Sequence, residues 1–297
     1  MHKIVLKLIT VVFCCAFSIS LYAEQYSQNQ ALALCKASNL SLPKPEPDGR
    51  IQTLNEQGSM SPVFDTATKR FIENSHNKKV LEIGGGYGKV MLEVIGKGNN
   101  TEYHLNDLDE RHLFISAKSL AEIIDKQSIK SNLSPKISYI SGDITNKDFN
   151  LTEQYDAILI ARVMHFFTPE QMEYTIAKLS KALKPHGLIY VVAITPYVKR
   201  YQSFIPEYEK RLTNNETYPG YVNSLYDWLN IEVTSKAQQA AISKGPFMFL
   251  DDRVLTKEFT KAGFKIIECK MESLGYPSES WALDGRENVV LIAEKIV

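Results

Sequence analysis

The chain has 297 residues, with 34 basic and 34 acidic side chains that leave a formal net charge of zero. That length suits one large domain with additions and permits a full hydrophobic core. No basic stretch interleaves with aromatics, so the electrostatic footprint of a nucleic-acid binder is excluded and no nucleic-acid partner is expected.

In chain order, Lys3 and Lys7 precede an uncharged apolar run from Leu8 to Leu21, and Tyr22-Ala23-Glu24 then puts a small residue before an acid. This is the build of a secretory signal peptide over 1–23, cut after Ala23. The protein is therefore expected to be exported, periplasmic or secreted, with no stable membrane association after cleavage. The alternative is an uncleaved anchor, for which the run is short against the ~20 residues of a span. Removal of 1–23 leaves two cysteines, Cys35 and Cys269, which suit a bridge or two separate thiols equally. Residues 24–59 are rich in Gln, Asn, Ser and Pro, including Leu42-Pro43-Lys44-Pro45-Glu46-Pro47-Asp48-Gly49. They are expected to form an extended, unpacked arm that could at most cover a ligand mouth.

Ser61-Pro62 reads as an N-cap followed by a first-turn proline, with Val63, Phe64, Ala67, Phe71 and Ile72 on one helical face. Next comes Val80-Leu81-Glu82-Ile83-Gly84-Gly85-Gly86-Tyr87-Gly88-Lys89. Apolar residues frame one carboxylate, and glycines at alternate positions 84, 86 and 88 follow, so a buried strand ends in a turn where backbone can touch a ligand. A turn of this kind feeding a helix offers unpaired N–H groups to a nucleotide cofactor. A dinucleotide motif of the G-x-G-x-x-G kind would need glycine at 89, where Lys89 stands as a surface lysine starting a helix.

Glu102 to Asp109 is a short half-apolar run ending in acids, with Asp107 nineteen residues beyond Gly88. At that spacing a second parallel strand puts a carboxylate against a ribose diol, and Asp109 reads as a cap of the next helix. Leu113, Phe114, Ala117, Leu120, Ala121 and Ile124 make that helix amphipathic. Ile137 to Ile144, with Gly142-Asp143 near its end, reads as a third strand, Tyr155 to Arg162 as a fourth and Leu183 to Val192 as a fifth. A stripe of Met172, Ile176, Leu179 and Leu183 lies between the last two. Residues 196–250 are too long for a loop and carry many tyrosines, phenylalanines and Trp228, which suits a lid over the crevice, a satellite core, or both. Ala262-Gly263-Phe264 and Asn288 to Lys295 close the pattern with two more strands. Strand and helix alternate throughout, so the sheet should be mostly parallel with helices on both faces.

Taken together, these motifs resemble the class I S-adenosylmethionine (SAM)-dependent methyltransferases over residues 60–297, except 196–250. The glycine segment is similar to the family's first motif, and Leu183-Lys184-Pro185-His186-Gly187 to its Leu-Lys-Pro-Gly-Gly turn, with His186 in place of the first glycine. The resemblance implies a seven-stranded Rossmann-like sheet with SAM as cofactor. Carried over residue by residue, it implies cofactor contacts from Glu82, Gly84, Gly86, Gly88, Asp107, Leu108, Asp143, Ile144 and Ala161, with Asp143 accepting from the adenine amino group. The run from Ile158 to Gly187 also resembles small-molecule O-methyltransferases whose general base is a histidine followed by Asp-Trp. Here His165 is followed by Phe166-Phe167, so His165 is the candidate base in a departing context. No metal is implied. The expected reaction is methylation of an O or N of a small, aromatic or amphipathic acceptor. The alternatives are an exported effector methylating a host protein and a SAM binder without turnover. A nicotinamide oxidoreductase is disfavoured by the glycine spacing.

Overall fold

The computed structural model describes residues 24–97, 100–127, 136–242, 245–273, 275 and 279–296. The expected signal peptide at 1–23 lies outside them. Along the chain run β1 (Glu24–Ser27), α1 (Gln28–Ala37), β2 (Ile51–Gln52), β3 (Ser59–Met60), α2 (Thr66–Asn74), β4 (Lys79–Ile83), α3 (Lys89–Gly96) and β5 (Glu102–Asp107). Then come α4 (Glu110–Gln127), β6 (Lys136–Ser141), β7 (Tyr155–Ala161), α5 (Pro169–Ala182), β8 (Leu183–Ile194), α6 (Ile205–Thr213), β9 (Tyr221–Val222) and α7 (Lys236–Ala241). The chain closes with β10 (Phe247–Met248), α8 (Asp252–Lys261), β11 (Phe264–Glu272) and β12 (Asn288–Lys295).

The main sheet has eight strands in the order β1-β6-β5-β4-β7-β8-β12-β11. Strands β6, β5, β4, β7 and β8 are parallel, whereas β1, β12 and β11 join antiparallel. The chain order turns back on itself at β4, which lies between β5 and β7, and such a switch point opens a crevice at the strands' carboxyl ends. Alternation within each strand feeds two cores. Val80, Tyr103, Leu159 and Val192 pack on the side of α2, α3 and α4, and Leu81, Ile158, Ile160 and Val191 on the side of α5 and α8. Buried on both faces, these strands read as near-continuous apolar runs.

The mostly parallel α/β sheet is the one expected, with one strand more than seven. The eighth is β1, where the sequence suggested an unpacked arm. Glu24 to Ser27 pair with Ser138 to Ser141, and Ser27 with Gln30 forms a capping box that starts α1. Helix α1 lies on α4 through Ala31 and Cys35, both fully buried. Further on, β2 and β3 make a small hairpin in front of the crevice. Helix α2 begins later than Ser61-Pro62 implied. Its N-cap is Asp65, whose side chain accepts from the Thr68 N–H, and Ser61 instead bonds the backbone of Val63. Cys35 and Cys269 are both free thiols, bonded to the carbonyls of Leu40 and Asp252.

Residues 196–250 build a core of their own. Val198, Tyr201, Phe204, Tyr208, Val222, Leu225, Phe247 and Phe249 cluster with Ile194 at the end of β8. The rings meet at centroid distances of 4.8–6.3 Å in edge or tilted geometry. Tyr208, Phe204 and Phe249 are fully buried, and full burial of a large apolar side chain contributes at most about 1.5–3 kcal/mol. The segment is therefore seated on the sheet rather than tethered over it. Among the described residues, no helix is long and apolar enough to cross a membrane.

Candidate active site

The turn after β4 is built by sterics. Gly84, Gly86 and Gly88 have φ of 65°, 54° and 75°, the left-handed region that side chains disfavour. A Cβ on Gly84 would stand 2.3 Å from Val163 Cγ2, and one on Gly88 would stand 2.0 Å from Ser116 Oγ. The alternate glycines thus serve both the backbone path and the approach of β7's following loop.

Asp107, at the end of β5, organises this turn. Its Oδ2 accepts from the Gly86 N–H at 2.8 Å, and its Oδ1 accepts from the Asp109 N–H at 3.0 Å. His112 Nδ1 lies 2.9 Å from the same Oδ1, while its Nε2 is 3.0 Å from the Leu54 N–H. Because Leu54 can only donate, Nε2 must be the acceptor and Nδ1 carries the proton given to Asp107. One buried histidine therefore connects the Asp107 carboxylate to the hairpin loop. Asp109 accepts from the Arg111 N–H at the start of α4, which is a capping contact. With Oδ1 accepting twice, only Oδ2 of Asp107 keeps a further lone-pair direction for a ligand hydroxyl.

Asp143 uses Oδ1 for the N–H and hydroxyl of Thr145, both at 2.7 Å. Its Oδ2 makes no hydrogen bond among the described residues and Asp143 lines the crevice. Asn106 ties the base of the crevice by donating to the carbonyls of Ile140 and Gly142. Glu82 is 4 % exposed and accepts from the Tyr103 hydroxyl at 2.6 Å. Burial pushes its carboxyl up to about 8, with Asp107 adding to the rise against the lowering by Tyr103. Glu82 is therefore largely protonated near neutrality. Leu108, Ile144 and Ala161 also line the cavity; Gly88 is set behind it, at the N-cap of α3.

One cavity of about 500 Å³ runs from these groups to the aromatic segment, within the 300–1,000 Å³ usual for small-molecule sites. Several of its walls carry no motif. Arg162 holds φ 60°, a strained value for a non-glycine, and reaches the α2 N-cap Asp65 at 3.0 Å. Lys89 bonds the carbonyls of Ser61 and Pro62 and lies 4.4 Å from the Phe64 ring centroid, so it is a clamp rather than a surface lysine. Met60 Sδ accepts from the Tyr87 N–H at 3.2 Å, pressing the hairpin against the glycine turn. The turn Asn55-Glu56-Gln57-Gly58 was the one sequence signal for this hairpin.

His165 sits in a single 3-10 turn at Met164–Phe166, 3 % exposed, stacked on Phe247 at 4.8 Å and edge-on to Phe166 at 4.3 Å. Its Nδ1 is buried without a hydrogen-bond partner. Burial, helped by Arg162, lowers its pKa to about 3. The sequence suggested a base titrating near the ordinary histidine range. In this ring cage the imidazole is neutral across all working pH, so it can accept a hydrogen bond but is a weak proton acceptor.

The residue set fits SAM. It offers a glycine turn, a carboxylate with one open lone pair at the end of β5 and a second with a bare oxygen beyond β6, all on one cavity. A methyltransferase domain family matches residues 80–187, which include every one of these groups. Among curated proteins, none matches the chain by sequence. A SAM-dependent methyltransferase from Methanosarcina mazei is similar in fold at 15 % identity and a TM-score of 0.52, over 76 % of this chain and 97 % of that one. One from Mesorhizobium loti has 11 % identity and a TM-score of 0.51, over 77 % and 96 %. A glycopeptide N-methyltransferase complexed with sinefungin has 13 % identity and a TM-score of 0.52, over 83 % and 92 %. At these identities the likeness is one of fold: the chain has the architecture seen in SAM-dependent methyltransferases, and its residues 80–187 match a methyltransferase domain family.

Proposed function

We propose that the protein methylates an oxygen or nitrogen of a small acceptor. The observation that carries this reading is the single cavity in which Asp107, Asp143 and the glycine turn form one end, and Phe166, Tyr201, Leu225 and Phe247 form the other. When bound, SAM supplies an electrophilic methyl group on a sulfonium. The chain's own work is alignment, which provides much of the rate of a displacement. Gly84 and Gly86 would meet the methionine portion, Asp107 the ribose and Asp143 the adenine. Neutral His165 would accept a hydrogen bond from the acceptor's O–H or N–H and orient its lone pair; the proton stays on the methylated product until release to solvent, unless the acceptor binds already deprotonated. Aromatic walls exclude water from the acceptor end. An acceptor enclosed this way is a small molecule rather than a folded protein.

Calorimetry with SAM and with NAD, followed by mass spectrometry of small-molecule extracts incubated with labelled SAM, tests the proposal. SAM binding with a methylated small molecule is the expected outcome. Label on protein instead would favour an effector acting on a host protein, and SAM binding without any labelled product would favour a binder without turnover.

We further infer export. Cleavage after Ala23 would leave Glu24, which pairs with Ser141, as the new N-terminus. The mature mass should begin at Glu24; an intact Met1 in a cytosolic fraction would refute this.

A further inference from the structure

Most charged side chains along the cavity already have protein partners. Arg50 pairs with Asp48 at 2.9 Å, Arg162 with Asp65 at 3.0 Å, and Lys89 holds two carbonyls. Arg200 is different. It is 9 % exposed, no carboxylate stands at ion-pair distance from it among the described residues, and its Nε is buried without an acceptor. Its guanidinium lies 5.1 Å from the Tyr201 ring centroid and 4.8 Å from that of Trp281. The Tyr201 hydroxyl, also on the cavity, is buried without a partner too. Burial raises its phenol against the lowering by the Arg200 guanidinium beside it, so it remains a donor.

The backbone fixes this arrangement. The Arg200 N–H donates to the Ser280 carbonyl at 2.9 Å, and the Arg200 carbonyl accepts from the Asn230 N–H at 2.7 Å. A guanidinium cannot lose its proton, and a buried charge without a counterion is strongly disfavoured. Two rigidly held donors at the apolar end of a ligand cavity therefore make a site completed by an anion from outside the chain.

We propose that Arg200 and Tyr201 bind the carboxylate of the methyl acceptor, which makes the substrate a small monocarboxylate with an apolar body. This rests on the methyltransferase reading above. The carboxylate accepts from Arg200 and Tyr201, the body packs against Phe247 and Leu225, and the nucleophilic atom points toward His165. Charge selects the class: one guanidinium is uncompensated, so one negative charge balances the site. A phosphomonoester dianion would need a second unpaired cation, and Arg50 and Arg162 are already engaged. The planar fork of arginine also matches a carboxylate in bidentate fashion.

The test uses the whole mature protein saturated with S-adenosylhomocysteine, with benzoate, benzamide and phenyl phosphate as probes in calorimetry. Benzoate should bind about tenfold or more tightly than benzamide, as expected for a charge-assisted contact. Arg200→Met should erase that preference, and Arg200→Lys should restore part of it. Both variants should keep SAM affinity within about threefold, and Arg200→Met should melt no lower than wild type, because removing an uncompensated buried cation does not destabilise the fold. Equal affinity for benzoate and benzamide, a preference for phenyl phosphate, or no benzoate binding at 10 mM, on the order of the weakest measurable fragment affinity, would each overturn the proposal. Loss of SAM affinity in Arg200→Met would assign the arginine to the cofactor instead, and a clearly lower melting temperature would make it structural. If wild type fails to bind SAM while the benzoate preference stands, the methyltransferase reading falls and the anion site survives.

Discussion

The two ends of the cavity are finished to different degrees. At the cofactor end, Asp107 holds Gly86, Asp109 and His112, Asp143 holds Thr145, and Asn106 holds two carbonyls. At the acceptor end, His165 Nδ1, Arg200 Nε and the Tyr201 hydroxyl are buried without a hydrogen-bond partner among the described residues. Buried polar groups are normally satisfied, so the difference has a cause. On the proposed reading, the cofactor end is pre-organised by its own side chains around one constant ligand, and the acceptor end keeps its donors and acceptor for groups that the substrate would bring; its shape is set by the aromatic core of the insertion.

The largest expected effect is a break in the finished end. Gly84→Ala combines a left-handed backbone with a Cβ 2.3 Å from Val163, which the packed β7 loop cannot absorb. We expect loss of measurable SAM binding and a stability cost of about 2 kcal/mol or more, read by calorimetry and thermal melting. A variant that binds SAM as wild type does would mean the turn is soft and not pre-organised. Asp107→Ala should come next. It removes a charge-assisted acceptor for the ribose and frees the Gly86 N–H and His112, so SAM should bind at least about tenfold more weakly, in keeping with 1.5–3 kcal/mol for such a contact. An unchanged dissociation constant would remove Asp107 from the site.

A third effect is pH dependence of the cofactor end. Burial raises the Glu82 carboxyl to about 8. The cationic groups of SAM favour its carboxylate, so its pKa should fall on binding and protons should be released. Affinity should then strengthen as pH rises from 6 toward 8 and level off above, by up to about tenfold for each unit the pKa moves. For folding the sign is opposite: a carboxyl raised above its unfolded value stabilises below the unfolded pKa and loses that contribution as pH rises through about 8. Glu82→Gln should flatten the binding profile, and a slope that persists in this variant would assign the proton elsewhere.

The same contrast explains what was legible in the sequence. The glycine turn, the acids after β5 and β6 and the strand order stand out because buried strands are runs of apolar residues and left-handed turns require glycine. Helix α1 was hidden because its buried face consists of two small residues, Ala31 and Cys35, in an otherwise polar segment, too sparse to make a stripe. Ser61-Pro62 and Asp65-Thr66 are both acceptable helix starts, and the ion pair of Asp65 with Arg162 from the β7 loop favours the second. Arg200 carries no local signal at all. Its meaning depends on Trp281, Tyr201 and the lack of an ion-paired acid among the described residues, which are properties of the assembled cavity.

The smallest expected effect concerns His165, where the unfinished end meets the chemistry. A histidine at its unperturbed pKa of about 6.5 would give a rate rising with pH through that value. Burial among Phe166 and Phe247 instead lowers it to about 3, and the sulfonium of the cofactor adds a positive charge that disfavours the imidazolium further. A base so weak captures little of the 10²–10⁴-fold that a matched one supplies. His165→Ala should therefore slow turnover by about tenfold or less through lost orientation, leave SAM affinity unchanged, and leave the pH–rate profile without a limb near 6.5 in either protein. His165→Asn, which can still accept a hydrogen bond, should recover part of the rate. A wild-type limb near 6.5 that vanishes in His165→Ala would show that the substrate's negative charge restores the imidazole's basicity, and the histidine would then be the proton acceptor rather than a wall that orients.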